Sequence, residues 1–205
     1  MAIQSSARSS DGPDYRTLAR RALAEDRAGS DRTSRSLLRP GTRATAVVVA
    51  QASGILSGGR AAASVATAGG VRVVGRVPDG RPIRAGMAVL RLEGEARRIL
   101  AVERSLLNVL MHASGIASAT ARAVRATRRS RPRLQVWATR KTLPGLRDLE
   151  KAAVVDGGGQ PHRRDLDAGL LIKSNHLEFV PLEEAIARAR RHARAGERVE
   201  VEVRT

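Results

Sequence analysis

The side chains best suited to chemistry lie between Ala138 and Leu177, a segment that we call the cationic block. It places basic residues on both sides of three consecutive glycines, Gly157–Gly159. Among these basic residues are Arg140, Lys141, Lys151, His162, Arg163, Arg164, Lys173 and His176. Cations on loops beside flexible glycine backbone suit a small ligand that carries several carboxylates or phosphates. A solvated basic surface is the competing interpretation.

The distribution of lysine favours a ligand site over a plain basic surface. The chain has three lysines, Lys141, Lys151 and Lys173, and all of them lie in the cationic block. Arginine supplies the positive charge in the rest of the chain. A lysine ammonium is a compact, mobile point charge, whereas a guanidinium is a planar fork. Lysine confined to one segment therefore indicates a local need for point charges.

Composition narrows the class of protein. The chain has 205 residues, of which 42% are hydrophobic and 1% aromatic, so one or two domains must pack around Ala, Val, Leu and Ile. The net charge of +17 makes a polyanion a candidate partner. Single-strand nucleic-acid binding usually needs aromatic stacking platforms, which this chain lacks, so we do not expect nucleic acid as a partner.

The absence of cysteine and the hydropathy of the chain bear on where in the cell the protein is located. Without cysteine the chain forms no disulfide, no thiolate nucleophile and no zinc finger, which fits the cytoplasm. The N-terminal residues carry no apolar targeting core, and no stretch approaches the roughly 18 apolar residues of a membrane span. We therefore expect a cytoplasmic protein without a membrane association.

The first half of the chain has the pattern of an α+β domain. Residues 1–13 are polar and serine-rich, which is typical of a disordered tail, and residues 14–114 form the predicted domain. Helical spacing predicts helices over Tyr15–Asp26 and Ala61–Ala68, and loop residues predominate in Gly29–Gly41. The predicted strands are Ala44–Gln51, Gly54–Leu56, Val71–Val77 and Met87–Glu93, with a turn at Pro78–Gly80.

A long helix links this domain to the rest. Ile99–Met111 has an apolar face, and Gly115 is predicted to interrupt the helix before it continues over Ala117–Arg128. Arg104, Asn108 and His112 stand four residues apart and form one polar stripe, which is either solvated surface or part of a site.

After Pro132 the pattern alternates between strand and helix, which favours βαβ units and a parallel sheet. The predicted strands are Leu134–Trp137, Leu170–Ile172 and Val199–Val203, and the predicted helices are Leu146–Val155 and Leu182–Ala195. Sites in such sheets lie at the carboxyl ends of the strands. Three polar clusters follow or end these strands, so we expect them to converge on one rim: Thr139–Lys141, Lys173–His176 and Glu202.

Four motifs connect these features to a known family. They read ERSLLNVLMHASGIASAT (Glu103–Thr120), ATRKTLPGLRDLEKAAV (Ala138–Val154), GGGQPHR (Gly157–Arg163) and LIKSNH (Leu171–His176). In type and order they resemble the quinolinate phosphoribosyltransferases, the carboxylating nicotinate-nucleotide pyrophosphorylases. The resemblance runs from about Ala22 to Val203. It implies the α/β class, with an N-terminal α+β sandwich domain followed by an open α/β barrel, here incomplete, over residues 115–205.

The same resemblance implies a reaction. Quinolinate and phosphoribosyl pyrophosphate, with Mg²⁺ as cofactor, would give nicotinate mononucleotide, pyrophosphate and carbon dioxide in NAD biosynthesis. The active unit would be a homodimer in which one subunit completes the site of its partner.

The family's functional residues are implied at matching positions. Arg104 would reach into the neighbouring subunit and bind a quinolinate carboxylate. The residues implied to hold the dicarboxylate are Arg140, His162 and Arg163. Lys141, Lys173 and Glu202 are implied as catalytic, the two lysines near the phosphoribosyl groups and Glu202 near the ribose. No metal ligand is certain, and Glu202 is the candidate.

Three departures from the family pattern stand out. Ala138 and Ser174 occupy positions where the family has Asp, which removes two carboxylates that could orient neighbouring cations. The chain also stops at Thr205, which leaves room for two to three βα units at roughly 30 residues each. We therefore expect a truncated barrel that lacks part of the second substrate's site.

Other functions stay open at this point. The chain is an enzyme of this family, or a non-catalytic relative that binds a pyridine dicarboxylate or completes its site with another polypeptide. A relative associated with molybdenum transport shares the TRKT-type motif, but the histidine, arginine and glycines of Gly157–Arg163 fit the quinolinate pattern better. Polyanion binding through the basic surface predicts a steep salt dependence.

Overall fold

The computed structural model describes residues 13–203, so the predicted tail, apart from Pro13, lies outside the described residues. The chain divides into two compact units, the first ending at Pro161 and the second beginning at His162. In chain order the first unit contains helix α1 (Arg16–Glu25), a 3-10 helix (Ala28–Ser30), α2 (Arg32–Leu37), β1 (Arg43–Val49), β2 (Gly54–Ile55), α3 (Gly59–Ala68), β3 (Arg72–Arg76), β4 (Pro82–Ile83), β5 (Ala88–Glu95), α4 (Ala96–Ser130) and α5 (Arg147–Asp156).

The core of the first unit lies between helices and a three-stranded antiparallel sheet of order β1-β5-β3. Along β1, exposed and half-buried residues alternate, as the period of a strand with one packed face requires. The central strand β5 is more deeply buried, with Leu90 and Leu92 almost inaccessible to solvent. Val65 of α3 and Leu106 of α4 belong to the same core. Tyr15 is the only aromatic residue in this cluster, which accounts for its dependence on small aliphatic side chains.

The linking helix α4 is continuous over 35 residues, or about 50 Å. The prediction that Gly115 interrupts it was wrong. Gly115 is exposed, and a Cβ atom at this position would meet nothing within 4 Å. Ala113 and Ala117 on either side are fully buried. Packing of this face outweighs the cost of about 1 kcal/mol for a glycine inside a helix.

Most predicted elements of the first unit are confirmed, but the loop predicted over Gly29–Gly41 was wrong. It contains the end of the 3-10 helix and all of α2. The Asp31 carboxylate accepts a hydrogen bond from the Ser34 backbone N–H at 3.1 Å and so caps α2. Aspartate directly before the first residue of a helix is a known start signal, because its carboxylate accepts from a backbone N–H of the first turn. The two-residue strand β4 was not predicted.

The strand predicted over Leu134–Trp137 was also wrong. This segment makes a single isolated parallel bridge, between Trp137 and Gln160. Gln160 N–H donates to the Val136 carbonyl and Ala138 N–H donates to the Gln160 carbonyl, each at 2.8 Å. These two hydrogen bonds to Gln160 align the backbone next to Trp137, but they do not continue into a ladder of paired strands.

The second unit contains a parallel β-α-β arrangement, as predicted. Its elements are β6 (Leu170–Ile172), α6 (Ser174–Leu177), α7 (Leu182–His192) and β7 (Val199–Val201). Leu170 pairs with Val199 and Ile172 with Val201, so β6 and β7 run in the same direction. Helix α7 contacts both strands. It ends three residues earlier than predicted, and the short helix α6 was not predicted.

Within residues 13–203, every helix is too short or too polar to cross a lipid bilayer.

Candidate anion-binding site

The loop between the Trp137 bridge and α5 carries Arg140 and Lys141, two of the predicted site residues. Arg140 is half-buried, and its Nε atom is buried without a hydrogen-bond acceptor among the described residues. A buried donor that lacks a partner costs about 1–3 kcal/mol, so native proteins rarely leave one unsatisfied. The Arg140 Nε donor is therefore available to an acceptor from outside the described residues.

Lys151 on α5 adds a second cation to this region. It is only 6% exposed, and its ammonium group donates to the Pro161 carbonyl oxygen. Burial lowers the pKa of Lys151, and the neighbouring charges of Arg147 and Arg140 lower it further. The three cations therefore repel one another inside a poorly hydrated part of the fold, and a bound anion would relieve that repulsion.

The glycines of the cationic block have a different role from the predicted one. They were interpreted as flexible backbone beside a ligand, but Gly157 and Gly159 are buried. A Cβ atom on Gly157 would clash with the Ala117 carbonyl oxygen and the Thr120 side chain of α4. A Cβ atom on Gly159 would lie 2.7 Å from Val154 Cγ1. These glycines allow the end of α5 to pack closely on α4.

Arg104 lies on the exposed side of α4 and has no hydrogen bond or ion pair among the described residues. It lines a largely apolar groove of about 940 Å³ between α4 and the strands β1 and β2. Leu100 and Met111, also in this groove, are about half exposed. The polar stripe is not uniform, because His112 is partly buried and pairs with Glu150 of α5 at 3.0 Å.

In the second unit, His162 contacts Glu200 of β7, with 2.9 Å between Nε2 and Oε2. The backbone of His162 has φ +49°, which is uncommon for a residue other than glycine. Arg163 Nη1 donates to the Gly169 carbonyl at 3.0 Å. The local backbone thus holds both side chains of the predicted His-Arg pair in defined positions.

Lys173 and Glu202 meet at the carboxyl ends of β6 and β7. Lys173 Nζ lies 3.7 Å from Glu202 Oε2, and both side chains are about half exposed. His176 Nδ1 accepts a hydrogen bond from the Lys173 backbone N–H at 2.8 Å, which fixes the turn that carries the lysine. Of the three polar clusters expected on one rim, the structure therefore brings two together. The third, Thr139–Lys141, belongs to the other compact unit, so its convergence with them stays a prediction.

Sequence reasoning missed several residues of this region. The position of Arg147 beside Lys151, and the contact between His112 and Glu150, were not predicted. Lys151 itself was among the cations that the sequence predicted to suit an anionic ligand. The pair His112 and Glu150 is separated by 38 positions, and no local pattern links them.

Comparison with known proteins connects this fold and site to one class. The model of the quinolinate phosphoribosyl transferase N-terminal domain matches residues 31–114, and that of the C-terminal domain matches residues 116–205. The chain is 40% identical over 174 residues to a probable nicotinate-nucleotide pyrophosphorylase [carboxylating] of Methanothermobacter thermautotrophicus, covering 84% of this chain and 62% of that protein. It is 41% identical over 166 residues to the nicotinate-nucleotide pyrophosphorylase [carboxylating] of Mycobacterium leprae, covering 78% of this chain and 58% of that protein.

Solved structures agree with these sequence matches. NadC from Streptococcus pyogenes superposes with a TM-score of 0.84 at 36% identity, covering 92% of this chain and 69% of that one. The nicotinate-nucleotide pyrophosphorylase from Francisella tularensis superposes with a TM-score of 0.82 at 32% identity, covering 92% of this chain and 66% of that one.

The fold is therefore a two-part α/β fold, in which an N-terminal α+β domain precedes a partial α/β barrel, as expected. The chain belongs to the quinolinate phosphoribosyl transferase family. It spans less than two thirds of the length of the Methanothermobacter and Mycobacterium relatives that it matches.

Proposed function

We propose that this chain binds quinolinate and acts in its phosphoribosylation and decarboxylation, a step of NAD biosynthesis. The observation that carries the proposal is the buried Arg140 Nε without an acceptor, beside the depressed pKa of Lys151. A free guanidinium N–H and a buried ammonium group side by side are suited to a carboxylate ligand. The descriptions of the two matching family models name quinolinate, which supplies the identity of the carboxylate ligand.

The guanidinium groups are suited to the two carboxylates of quinolinate. Adjacent carboxylates on a rigid pyridine ring need donors with fixed geometry, and arginine offers parallel N–H groups where lysine offers a single point charge. We propose this role for Arg140, His162 and Arg163, the residues at the positions that the family motifs imply. Arg104 would serve the site of a second subunit.

The lysines are suited to the phosphoribosyl donor. When the pyridine nitrogen attacks the ribose C1 of phosphoribosyl pyrophosphate, the bond to pyrophosphate breaks and negative charge builds on the departing oxygens. Lys141 and Lys173 are proposed to stabilise that charge. The ribose carbon becomes oxocarbenium-like, and Glu202 would stabilise it electrostatically. The bond between C2 of the alkylated, positively charged ring and its carboxylate then breaks. Carbon dioxide leaves, and the electron pair that remains on C2 takes up a proton from water to give nicotinate mononucleotide.

Magnesium is proposed as the cofactor, carried in by the phosphoribosyl pyrophosphate. Among the described residues no three acidic or histidine side chains cluster in a way that would hold a metal ion. This is compatible with Mg²⁺, which often takes one or two carboxylates and otherwise substrate phosphates and water. Glu202 is the candidate carboxylate. Bound Mg²⁺ would neutralise charge on the pyrophosphate.

We further propose that the chain acts in the cytoplasm as a homodimer. The apolar groove that contains Arg104, with half-exposed Leu100 and Met111 beside it, is suited to a partner surface. Sedimentation equilibrium tests this, since a monomer at all concentrations would contradict it.

Calorimetry tests the proposed function directly. The chain is titrated with quinolinate and, as matched ligands, with pyridine-2-carboxylate and pyridine-3-carboxylate. We expect quinolinate to bind at least about tenfold more tightly than either monocarboxylate, because each lost charge-assisted contact costs about 1.5–3 kcal/mol. Equal affinities for all three, or no binding, would refute the proposal.

A second measurement separates binding from turnover. Formation of nicotinate mononucleotide is followed with quinolinate, phosphoribosyl pyrophosphate and Mg²⁺. Product would establish the reaction for this chain. Binding without product would instead favour a chain that holds the dicarboxylate without turnover or needs another polypeptide.

A further inference from the structure

The loop that carries Arg140 and Lys141 is held in place from outside itself. Within the loop the hydrogen bonds are short-range, such as Thr142 N–H to the Arg140 carbonyl at 2.9 Å. Two further contacts connect the loop to side chains of helix α5. Arg147 Nε donates to Thr142 Oγ1 at 3.1 Å, and the Leu143 N–H lies 3.4 Å from both carboxylate oxygens of Glu150.

The Leu143 contact is the more informative of the two. The Leu143 side chain is 54% exposed, so apolar packing does not fix this part of the loop. What connects this part of the loop to α5 is the Leu143 backbone N–H, which is shared between the two carboxylate oxygens of Glu150. The geometry follows from helix stereochemistry, because side chains of a helix lean toward its N-terminus and Glu150 leans toward the loop before α5.

Glu150 is in turn fixed by His112 of α4. Glu150 is buried, and a buried carboxylate needs partners because it has lost its water. His112 Nε2 lies 3.0 Å from Glu150 Oε1, and this contact crosses from one helix to the other. The contacts thus run from α4 through His112 and Glu150 to the backbone at Leu143, three residues after Arg140.

We infer that His112 and Glu150 are positioning residues for the proposed quinolinate site. By holding the Leu143 amide, they fix the position of the loop that carries Arg140 and Lys141. The inference rests on the proposed function only for the identity of the ligand. Neither residue is assigned to touch the substrate. His112 acts through Glu150, and Glu150 acts through the loop backbone.

Three variants and one control test the anchoring. Glu150→Ala removes the acceptor, Glu150→Gln keeps one acceptor oxygen without the charge, and His112→Ala removes the outer support. Asn108→Ala is the matched control, since Asn108 is exposed on the same stripe one turn before His112 and its side chain makes no hydrogen bond to the described residues. The readouts are hydrogen exchange of the Leu143 amide and the dissociation constant for quinolinate.

We expect Leu143 exchange to accelerate at least about tenfold in Glu150→Ala and His112→Ala, with partial recovery in Glu150→Gln. The quinolinate dissociation constant should rise at least about fivefold in the same two variants. Asn108→Ala should change neither quantity. The double variant His112→Ala/Glu150→Ala should be no worse than Glu150→Ala alone, because the histidine acts only through the glutamate.

Several results would overturn the inference. Leu143 exchange that stays at the wild-type rate would show that Glu150 does not anchor the loop. Faster exchange with unchanged quinolinate affinity would show that the anchor does not position the site. Uniform loss of protection against amide exchange across α4 and α5 would indicate a general structural role. If Glu150→Ala fails to fold, His112→Ala, at a partly exposed position, still tests the anchoring.

Failure of the proposed function is distinguishable from failure of the anchor. If the wild-type chain does not bind quinolinate, the proposed function is refuted, and Leu143 exchange alone then supports or overturns the anchoring.

Discussion

Lys173 Nζ lies 3.7 Å from Glu202 Oε2, although the two residues are far apart in the sequence. Strand register accounts for the contact. Ile172 pairs with Val201, and the Glu202 N–H donates to the Ile172 carbonyl at 2.8 Å. The residue after each strand is therefore a neighbour of the residue after the other. The backbone, not the ion pair, brings the two charges together.

Substitution of this pair should leave folding nearly unchanged. The side chains are about half exposed, and exposed ion pairs contribute about 0–1 kcal/mol. We expect Glu202→Gln and Lys173→Met each to change the free energy of unfolding by less than about 1 kcal/mol in urea titrations. Diphosphate without Mg²⁺ should bind more tightly to Glu202→Gln and more weakly to Lys173→Met. Opposite shifts would contradict the assignment of Lys173 to the phosphate region.

Arg140→Lys should weaken quinolinate binding by about 2 kcal/mol, or roughly 30-fold, because a lysine cannot replace a bidentate charge-assisted contact. Calorimetry of the folded variant measures the effect. The matched control is Arg125→Lys, an exposed arginine on α4, which should bind quinolinate like the wild type. Unchanged affinity in Arg140→Lys would remove Arg140 from the site.

Two glycine-to-alanine substitutions should change stability in opposite directions. Gly115→Ala adds a methyl group to an exposed helical position with free space, and should stabilise by about 0.5–1 kcal/mol. Gly157→Ala should destabilise by about 2 kcal/mol or more, since its Cβ would lie 2.7 Å from Thr120 Cβ. Urea unfolding of both variants measures the difference. A neutral Gly157→Ala would mean that α5 and α4 are less closely packed than described.

Tyr15 offers a direct spectroscopic reading, because it is the only tyrosine of the chain. Burial, together with the negative charge of Asp79, raises the pKa of Tyr15 to about 12. The unfolded phenol ionises near pH 10. Between roughly pH 10 and 12 the folded state keeps a proton that the unfolded state loses, so this contribution to stability falls as pH rises through that window. Ultraviolet titration should show phenolate near pH 12 in the native chain and near 10 in urea. Phenolate near pH 10 with native circular dichroism would contradict the buried position.

Local patterns were sufficient for part of the structure. Alternation and apolar runs predicted β1, β5, β6 and β7, and strand-then-polar order predicted the meeting of Lys173 with Glu202. The family motifs predicted the two-part fold. Each of these depends on residues that are close in sequence or on a register set by parallel strands.

What sequence reasoning missed depends on packing between distant segments. Gly115 and Gly157 are the same residue type, yet one lies free on a helix surface and the other is pressed against Thr120. Their environments follow from which face of α4 meets α5. The contact of His112 with Glu150 has the same origin. Trp137 ends an apolar run with the sequence pattern of a strand, but the run forms an isolated bridge with Gln160 and no ladder.

The continuity of α4 has a practical consequence for dissecting this protein. The two family models meet between residues 114 and 116, in the interior of one helix. A chain divided there for separate expression would cut through buried Ala113 and Ala117. Each half would lose a helix face that the other covers, so both products should be insoluble. A fragment of this protein is better ended at Pro161, where the first compact unit ends and both α4 and α5 are kept whole.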